Sequence, residues 1–166
     1  MKPEQLRRIL IVDDNQSIHE DIRKLLGPLD LSHSKLNDTE ALLFGNLTNE
    51  EKRVCFEIDS AYQGQEGSEL VKKAVEEMNP YAMAFVDMRM PPGWDGVKTA
   101  QAIWEADPEI QVIICTAFSD YAVDEIIGRT HGAGRLSILK KPFDVNEAVQ
   151  LACSLAEKRF LNLTKM

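Results

Sequence analysis

Short apolar runs alternate with longer amphipathic stretches along the chain. The run at residues 9–12 is continuously apolar, which is typical of a parallel strand covered on both faces. Similar runs predict four more strands, at residues 54–62, 81–86, 110–115 and 136–139. Helical spacing of apolar residues predicts two helices that end near Gly27 and Asn79, helices at residues 97–106 and 121–129, and a terminal helix that begins after Asp144.

Five strands that alternate with five helices predict an α/β fold with a doubly wound parallel sheet. Ligands of such sheets bind at the carboxyl ends of the strands, near the point where the strand order reverses. One stretch departs from the alternation, because residues 28–53 separate the first helix from the second strand where two to six residues are usual. We interpret these residues as an insertion that packs partly on the domain.

Composition limits the class of protein. The chain has 166 residues, enough for one domain, and 19 Lys and Arg against 27 Asp and Glu give a net charge of −8. An acidic balance argues against nucleic-acid and anionic-membrane surfaces as partners, since both are bound through clustered cations. No apolar run approaches the roughly 20 residues of a membrane span. Cys55, Cys115 and Cys153 form no CxxC pair and are expected to be free thiols, so we expect a cytoplasmic protein.

The ends of the predicted strands carry the candidate chemistry. Asp13 and Asp14 follow the first strand, Asp87 the third, Thr116 the fourth and Lys141 the fifth. Three carboxylates at one edge of a sheet repel one another unless a cation lies between them, and Mg²⁺ prefers such oxygen ligands. A lysine and a hydroxyl beside such a metal suit a phosphoryl group. The sequence carries no glycine-rich phosphate loop, GxSxG or HExxH motif that would indicate another site.

Four separated motifs resemble those of the receiver domain of two-component response regulators. They are Ile11-Val12-Asp13-Asp14, Val86-Asp87-Met88-Arg89-Met90-Pro91 with Asp95-Gly96, Cys115-Thr116-Ala117, and Lys140-Lys141-Pro142-Phe143. The resemblance covers residues 6–160, which leaves 161–166 as a tail or the start of a linker. It implies a flavodoxin-like sheet of strand order 2-1-3-4-5.

The resemblance also implies a role for each site residue. Asp87 would accept a phosphoryl group from a sensor histidine kinase or a phosphotransfer protein. Asp14 would bind Mg²⁺ directly, Asp13 mostly through coordinated water, and Arg89 through its backbone carbonyl. Thr116 and Lys141 would bind the phosphoryl group and switch the loops after the fourth and fifth strands, which would control a downstream output or partner. The peptide bond between Lys141 and Pro142 would be cis.

By the same resemblance the chain would be a signalling module rather than an enzyme, with phosphoryl transfer only to itself and slow autodephosphorylation. A homodimer could form through the helix at residues 121–129, the last strand and the terminal helix, with Tyr121, Ile126 and Ile127 contributing. Direct binding to nucleic acid or to a membrane is not expected.

The sequence departs from the family pattern at three places. The loop after Asp87 is one residue longer and contains Trp94, which would cover the site or contact a partner. Ile138 stands where receivers usually carry Tyr or Phe, so switching would use another route, through Phe118 or Tyr121. The insertion at residues 28–53 has no counterpart in the minimal domain.

Two alternatives to a phosphorylated receiver stay open. The chain could be a receiver that is never phosphorylated and serves as a scaffold or dimerisation module, although the complete set of site residues argues against this. It could also be a Mg²⁺-dependent aspartyl phosphohydrolase, but such an enzyme would need a second aspartate where Asn15 stands. His19 is interpreted as a surface or hydrogen-bonded structural histidine, and Trp104 as part of the core.

Overall fold

The computed structural model describes residues 7–27, 56–117, 134–141 and 144–164, and these ranges contain five strands and four helices. The strands are β1 (Arg8–Val12), β2 (Glu57–Ala61), β3 (Met83–Asp87), β4 (Gln111–Ala117) and β5 (Leu136–Lys141). The helices are α1 (Gln16–Leu26), α2 (Gly64–Glu76), α3 (Gly96–Ala106) and α4 (Val145–Thr164). The predicted helix at residues 121–129 and the predicted insertion at 28–53 lie outside the described residues.

The strands form one parallel sheet of order β2-β1-β3-β4-β5, which confirms the predicted flavodoxin-like fold. The register aligns the carboxyl ends of the strands at one edge. Val12 is paired with both Ala61 and Val86, and Ala117 is paired with Lys141. Residues that follow β1 and β3 therefore emerge at the same level of the sheet.

Alternate residues of the central strands pack against helices on opposite faces, as the pleat of a strand requires. Leu10 and Val12 belong to the apolar cluster under α2 and α3, and Ile9 and Ile11 to the cluster under α1 and α4. All four residues are fully buried. Helices on both faces explain why these strands are continuously apolar.

Side-chain caps fix where three of the helices begin. Asn15 Oδ1 accepts a hydrogen bond from the Ser17 N–H (3.0 Å) at the start of α1, and Asp95 Oδ1 one from the Lys98 N–H (2.8 Å) at the start of α3. Asp144 Oδ1 accepts one from the Asn146 N–H (2.8 Å), which confirms the predicted start of α4. Each cap satisfies an N–H that has no partner within the helix.

A buried ion pair joins α4 to the residue that ends α3. Arg159 Nη1 and Nη2 donate to Asp107 Oδ1 and Oδ2 at 3.1 and 2.7 Å, and both residues are buried. The bidentate geometry matches the planar guanidinium to the carboxylate. The contact fixes α4 against the amino end of β4, the edge of the sheet opposite the aligned carboxyl ends.

A second polar cluster lies at the amino end of β1. Arg8 Nη2 donates to Asp59 Oδ2 at 2.7 Å, and the Tyr81 hydroxyl donates to the same oxygen at 2.6 Å. Burial opposes ionisation of Asp59, but the hydrogen bonds from Tyr81 and Arg8 hold the pKa of this carboxyl below its ordinary value. The cluster ties together β1, β2 and the residues before β3.

Candidate functional site

Three carboxylates meet at the carboxyl ends of β1 and β3. Oxygen atoms of Asp13, Asp14 and Asp87 all lie within 4.8 Å of one another. The adjacency of β1 and β3 produces this arrangement, because Val12 is in register with Val86 and is followed by Asp13 and Asp14, while Val86 is followed by Asp87. Asp13 is buried, Asp14 is exposed and Asp87 is half-buried. The structure thus brings together the three acidic residues predicted from the sequence.

Lys141 joins this cluster from the end of β5. Its Nζ lies 3.1 Å from Asp13 Oδ2 and 3.2 Å from Asp87 Oδ1, so one ammonium group pairs with two carboxylates. Burial disfavours the charged lysine, but the attraction of Asp13 and Asp87 outweighs it and raises the pKa of Lys141 above its ordinary value. The lysine is therefore a fixed positive charge at this site.

The surroundings of Asp87 change the acidity of its carboxyl group. Burial, and next the negative charge of Asp13, raise the pKa of Asp87 to about 6. The charge and hydrogen bond of Lys141 and the backbone N–H of Arg89 act in the opposite direction. A carboxylate whose charge is this costly will gain from a further cation.

The donor set fits a magnesium ion. Asp13, Asp14 and Asp87 supply hard carboxylate oxygens close enough together to share one small cation, and Mg²⁺ selects such ligands over nitrogen or sulfur. Burial first, and then the negative charge of Asp13, raise the pKa of Asp87, so a bound cation would favour its ionised form. Asp13, Asp14 and Asp87 are the side chains that would hold the ion.

Thr116 and Arg89 are the other two predicted site residues that the structure describes. Thr116 is buried near the end of β4, one residue beyond Cys115, which is in register with Asp87. Its hydroxyl donates to the Ala117 carbonyl at 3.1 Å. Arg89 binds the Asp87 carboxylate through its backbone N–H. The metal contact predicted for the Arg89 carbonyl stays a prediction, and Pro142, with its predicted cis bond, lies outside the described residues.

The long loop after Asp87 borders a groove. The Pro91–Pro92 bond is cis, and the Gly93 N–H donates to the Met90 carbonyl at 3.0 Å in a turn. Trp94 lies against Lys98, whose Nζ is 5.0 Å from the centre of the indole. This loop and residues 63–65 line a cavity of about 620 Å³ that is open to solvent. Trp94 thus lines a groove next to the start of α2.

His19 is a residue of the site that the sequence interpretation undervalued. It is 2% exposed, its Nε2 lies 2.7 Å from the Asp13 carbonyl oxygen, and its Nδ1 lies 2.9 Å from Ser60 Oγ. Of the two interpretations, the hydrogen-bonded structural histidine is confirmed and the surface histidine is wrong, and neither predicts the contact with Asp13. The spacing of the sequence does indicate its burial, because His19 lies on the same helical face as Ile22 and Leu26, and this face of α1 is buried.

Ile138 and Trp104 behave as apolar packing residues. Ile138 on β5 is in register with Ile114 and packs, partly buried, on the cluster under α2 and α3. Trp104 is buried in the same cluster and donates its indole N–H to the Ile110 carbonyl at 3.0 Å, which confirms its predicted place in the core. Phe118 and Tyr121, the predicted substitutes for a switching aromatic, lie outside the described residues.

Comparison with known families identifies one match. The sequence profile described as the response regulator receiver domain matches residues 38–152, which is more than half of the chain. The matched range contains Asp87, Thr116 and Lys141. Asp13 and Asp14 precede it, so their place in the site depends on the geometry described above. No curated protein matches the sequence significantly.

Solved structures share the fold. A CheY-like response regulator receiver domain protein from Methanospirillum hungatei JF-1 is 18% identical with a TM-score of 0.65, over 95% of this chain and 98% of that one. The signal receiver domain of an HD domain-containing protein from Pseudomonas fluorescens Pf-5 is 16% identical with a TM-score of 0.68, over 98% and 95%.

An adenylate cyclase structure from Rhodopirellula baltica is 21% identical with a TM-score of 0.67, over 96% of this chain and 93% of that one. At these identities the likeness shows the fold alone. Within the described part of the chain, no helix is long and apolar enough to cross a membrane.

Proposed function

The chain belongs to the response regulator receiver domain family, and from that premise we propose that Asp87 accepts a phosphoryl group from a phosphohistidine in a Mg²⁺-dependent reaction. The donor would be a sensor histidine kinase or a phosphotransfer protein. The observation that carries the proposal is the cluster of Asp13, Asp14 and Asp87 within 4.8 Å, with Lys141 paired to two of its members. Receiver domains are signalling modules, so the transfer would serve as a signal.

Asp87 is the group that would react. One oxygen of its carboxylate attacks phosphorus, a P–O bond forms as the P–N bond of the donor breaks, and the bonding electrons stay on the imidazole nitrogen of the donor. The attack requires the ionised carboxylate, and the raised pKa of Asp87 makes the adjacent positive charge important. Lys141 supplies that charge at 3.2 Å from Oδ1.

Lys141 and Thr116 would bind the transferred group. The Lys141 ammonium lies 3.2 Å from Asp87 Oδ1 and can pair with a phosphoryl oxygen on that carboxylate. The Thr116 hydroxyl, which donates to the Ala117 carbonyl in this structure, can donate to the phosphoryl group after rotation. Bound Mg²⁺ would neutralise charge on the carboxylates and on the phosphoryl oxygens.

The contacts of Thr116 and Lys141 with the phosphoryl group would also transmit phosphorylation to other parts of the domain. Thr116 lies at the end of β4 and Lys141 at the end of β5, so new bonds to a phosphoryl group would pull on the segments that follow these strands. A local change of charge then biases a two-state element. The resulting control of an output or a homodimer, and the cytoplasmic location, stay predictions.

Labelling with a small acyl phosphate tests the proposal. The protein is incubated with the donor in Mg²⁺ or in EDTA, and its intact mass is measured. We expect one phosphoryl adduct in Mg²⁺, a much smaller amount in EDTA, and no adduct on Asp87→Asn. Asp21→Asn, which alters an exposed aspartate of α1, is the matched control and should label like the parent.

The alternatives give different results in the same experiment. A scaffold receiver would bind Mg²⁺ but gain no mass under any condition. A phosphohydrolase would release phosphate from unrelated phosphate monoesters with rapid turnover. Equal labelling of the parent and Asp87→Asn would overturn the proposal.

A further inference from the structure

A chain of hydrogen bonds runs beneath the turn that carries Asp13. Arg23 Nη2 lies 2.6 Å from Ser60 Oγ, which lies 2.9 Å from His19 Nδ1. The other ring nitrogen of His19, Nε2, lies 2.7 Å from the Asp13 carbonyl oxygen. The ring also packs against Tyr62 in a tilted arrangement, with 4.7 Å between ring centres. β2 and α1 thus both contribute to the support of this turn.

The partners determine which nitrogen of a neutral His19 carries the proton. Arg23 can only donate, so the Ser60 oxygen accepts from it and the Ser60 hydroxyl hydrogen is left available to His19 Nδ1. A backbone carbonyl can only accept, so the Nε2–H donates to the Asp13 carbonyl. This assignment comes from the hydrogen-bond network rather than from hydrogen positions. It makes His19 a directed donor to Asp13.

Every polar group of Asp13 has a partner, and only the partner of Oδ1 is local. Its N–H donates to the Ala61 carbonyl at 3.1 Å, Oδ1 accepts from the Asn15 N–H at 2.9 Å, and Oδ2 pairs with Lys141 at 3.1 Å. The carbonyl is held by His19, and this carbonyl belongs to the peptide unit that joins Asp13 to Asp14. The orientation of that peptide unit sets the direction in which Asp14 leaves β1.

We propose that His19 is a positioning residue of the magnesium site. This inference rests on the function proposed above. The hydrogen bond of His19 to Asp13 goes to the backbone carbonyl rather than to a carboxylate oxygen. Its Nε2–H fixes the Asp13–Asp14 peptide, and Ser60 and Arg23 fix the ring. Outer contacts that orient metal-ligating residues commonly change metal affinity by ten- to a hundredfold when removed.

Magnesium affinity of the full chain, measured by calorimetry, tests this role without any phosphoryl donor. His19→Leu removes the donor and should weaken Mg²⁺ binding about tenfold. His19→Gln places an amide N–H near the position of Nε2 and should restore most of the affinity. Ile22→Val, on the same buried face of α1, is the matched control, since it alters packing while leaving Asp13 untouched. It should bind Mg²⁺ like the parent.

The protonation of the ring provides a second readout that needs no substitution. Nitrogen NMR of the metal-free parent at pH 8 should show Nε2 protonated and Nδ1 unprotonated for His19. The opposite assignment would overturn the inference, and so would a His19→Leu variant that binds Mg²⁺ like the parent, or a His19→Gln variant as weak as His19→Leu. If the parent itself binds no Mg²⁺, the proposed function fails and this inference fails with it.

Discussion

Lys141 Nζ lies 3.2 Å from Asp87 Oδ1, although the two residues are 54 positions apart and their strands are separated by β4. The same ammonium group lies 3.1 Å from Asp13 Oδ2. One positive charge therefore offsets two carboxylates that would otherwise repel each other at this edge of the sheet.

Replacement of Lys141 should slow phosphoryl transfer without weakening Mg²⁺ binding. In Lys141→Met, phosphoryl transfer to Asp87 should slow by about a hundredfold, because a preorganised charge beside the reacting oxygen is lost. Mg²⁺ should bind at least as tightly as in the parent, because a competing positive charge has left the carboxylates. Initial rates of mass gain and calorimetric titration measure the two effects.

Lys140→Met is the matched control for that variant. Lys140 is the preceding residue of β5 and is exposed, so the site charges are unchanged and the labelling rate should stay within about twofold of the parent. Loss of Mg²⁺ affinity in Lys141→Met would contradict the assigned role of Lys141.

The acidity of Asp87 predicts how stability depends on pH. Burial and the charge of Asp13 raise the pKa of Asp87 to about 6, above its ordinary value of 3.8. Between these values the unfolded chain releases its proton while the folded chain retains it. The contribution of Asp87 to the free energy of unfolding therefore falls as pH rises from about 4 to 6, and then levels off.

Asp87→Asn should abolish this decrease in the free energy of unfolding with rising pH. In EDTA, the stability of the variant relative to the parent should increase between pH 4 and pH 7.5, on the order of 2 kcal/mol. Urea unfolding of both proteins at the two pH values measures the difference, and comparison within the pair cancels the titration of other carboxylates. A relative stability that is constant with pH would show that Asp87 titrates normally.

Much of the fold could be predicted because local pattern and tertiary structure agree. The continuous apolar run at residues 9–12 reflects a strand covered on both faces, and Asp144 marks the start of α4 through a cap contained in neighbouring residues. The place of Asp13 and Asp87 at one edge followed from the rule that parallel strands end together. These features need no knowledge of which distant residues touch.

Features that depend on distant pairs could not be predicted. Asp107 and Arg159 are 52 positions apart, and nothing local distinguishes a buried arginine from an exposed one near the end of an amphipathic helix. One partner of His19 is also distant, because Ser60 lies 41 positions away on a strand whose register only the folded sheet defines. Such contacts arise from tertiary packing.

Removal of one partner of the Asp107–Arg159 ion pair should lower the free energy of unfolding strongly. Arg159→Met leaves the Asp107 carboxylate buried without its cation, so the free energy of unfolding should fall by about 3–5 kcal/mol. The double variant Asp107→Asn with Arg159→Met leaves no unpaired charge and should recover a large part of that loss. Urea unfolding measures both, and a double variant no more stable than Arg159→Met would refute this explanation.

Gly96 should be intolerant of a side chain because β3 ends against it. A methyl group there would lie 2.8 Å from the Asp87 carbonyl oxygen and 2.9 Å from the Met88 Cα, both backbone atoms that cannot rotate away. Gly96→Ala should therefore displace Asp87, lower the free energy of unfolding by about 1–3 kcal/mol and slow phosphoryl labelling.

Gly134→Ala is the matched control, since a methyl group at that position meets no atom within 4 Å. It should leave both stability and labelling near those of the parent. Equal behaviour of the two alanine variants in thermal unfolding and in labelling would rule out the proposed contact between Gly96 and the end of β3.

The most direct test of the account is the position of the phosphoryl group. The protein is labelled with an acyl phosphate in Mg²⁺, digested at acid pH and mapped by mass spectrometry, with a parallel sample treated with hydroxylamine, which cleaves acyl phosphates but not phosphate esters. We predict one hydroxylamine-sensitive phosphoryl group, on Asp87. A stable adduct, or an adduct on any other residue, would contradict the account.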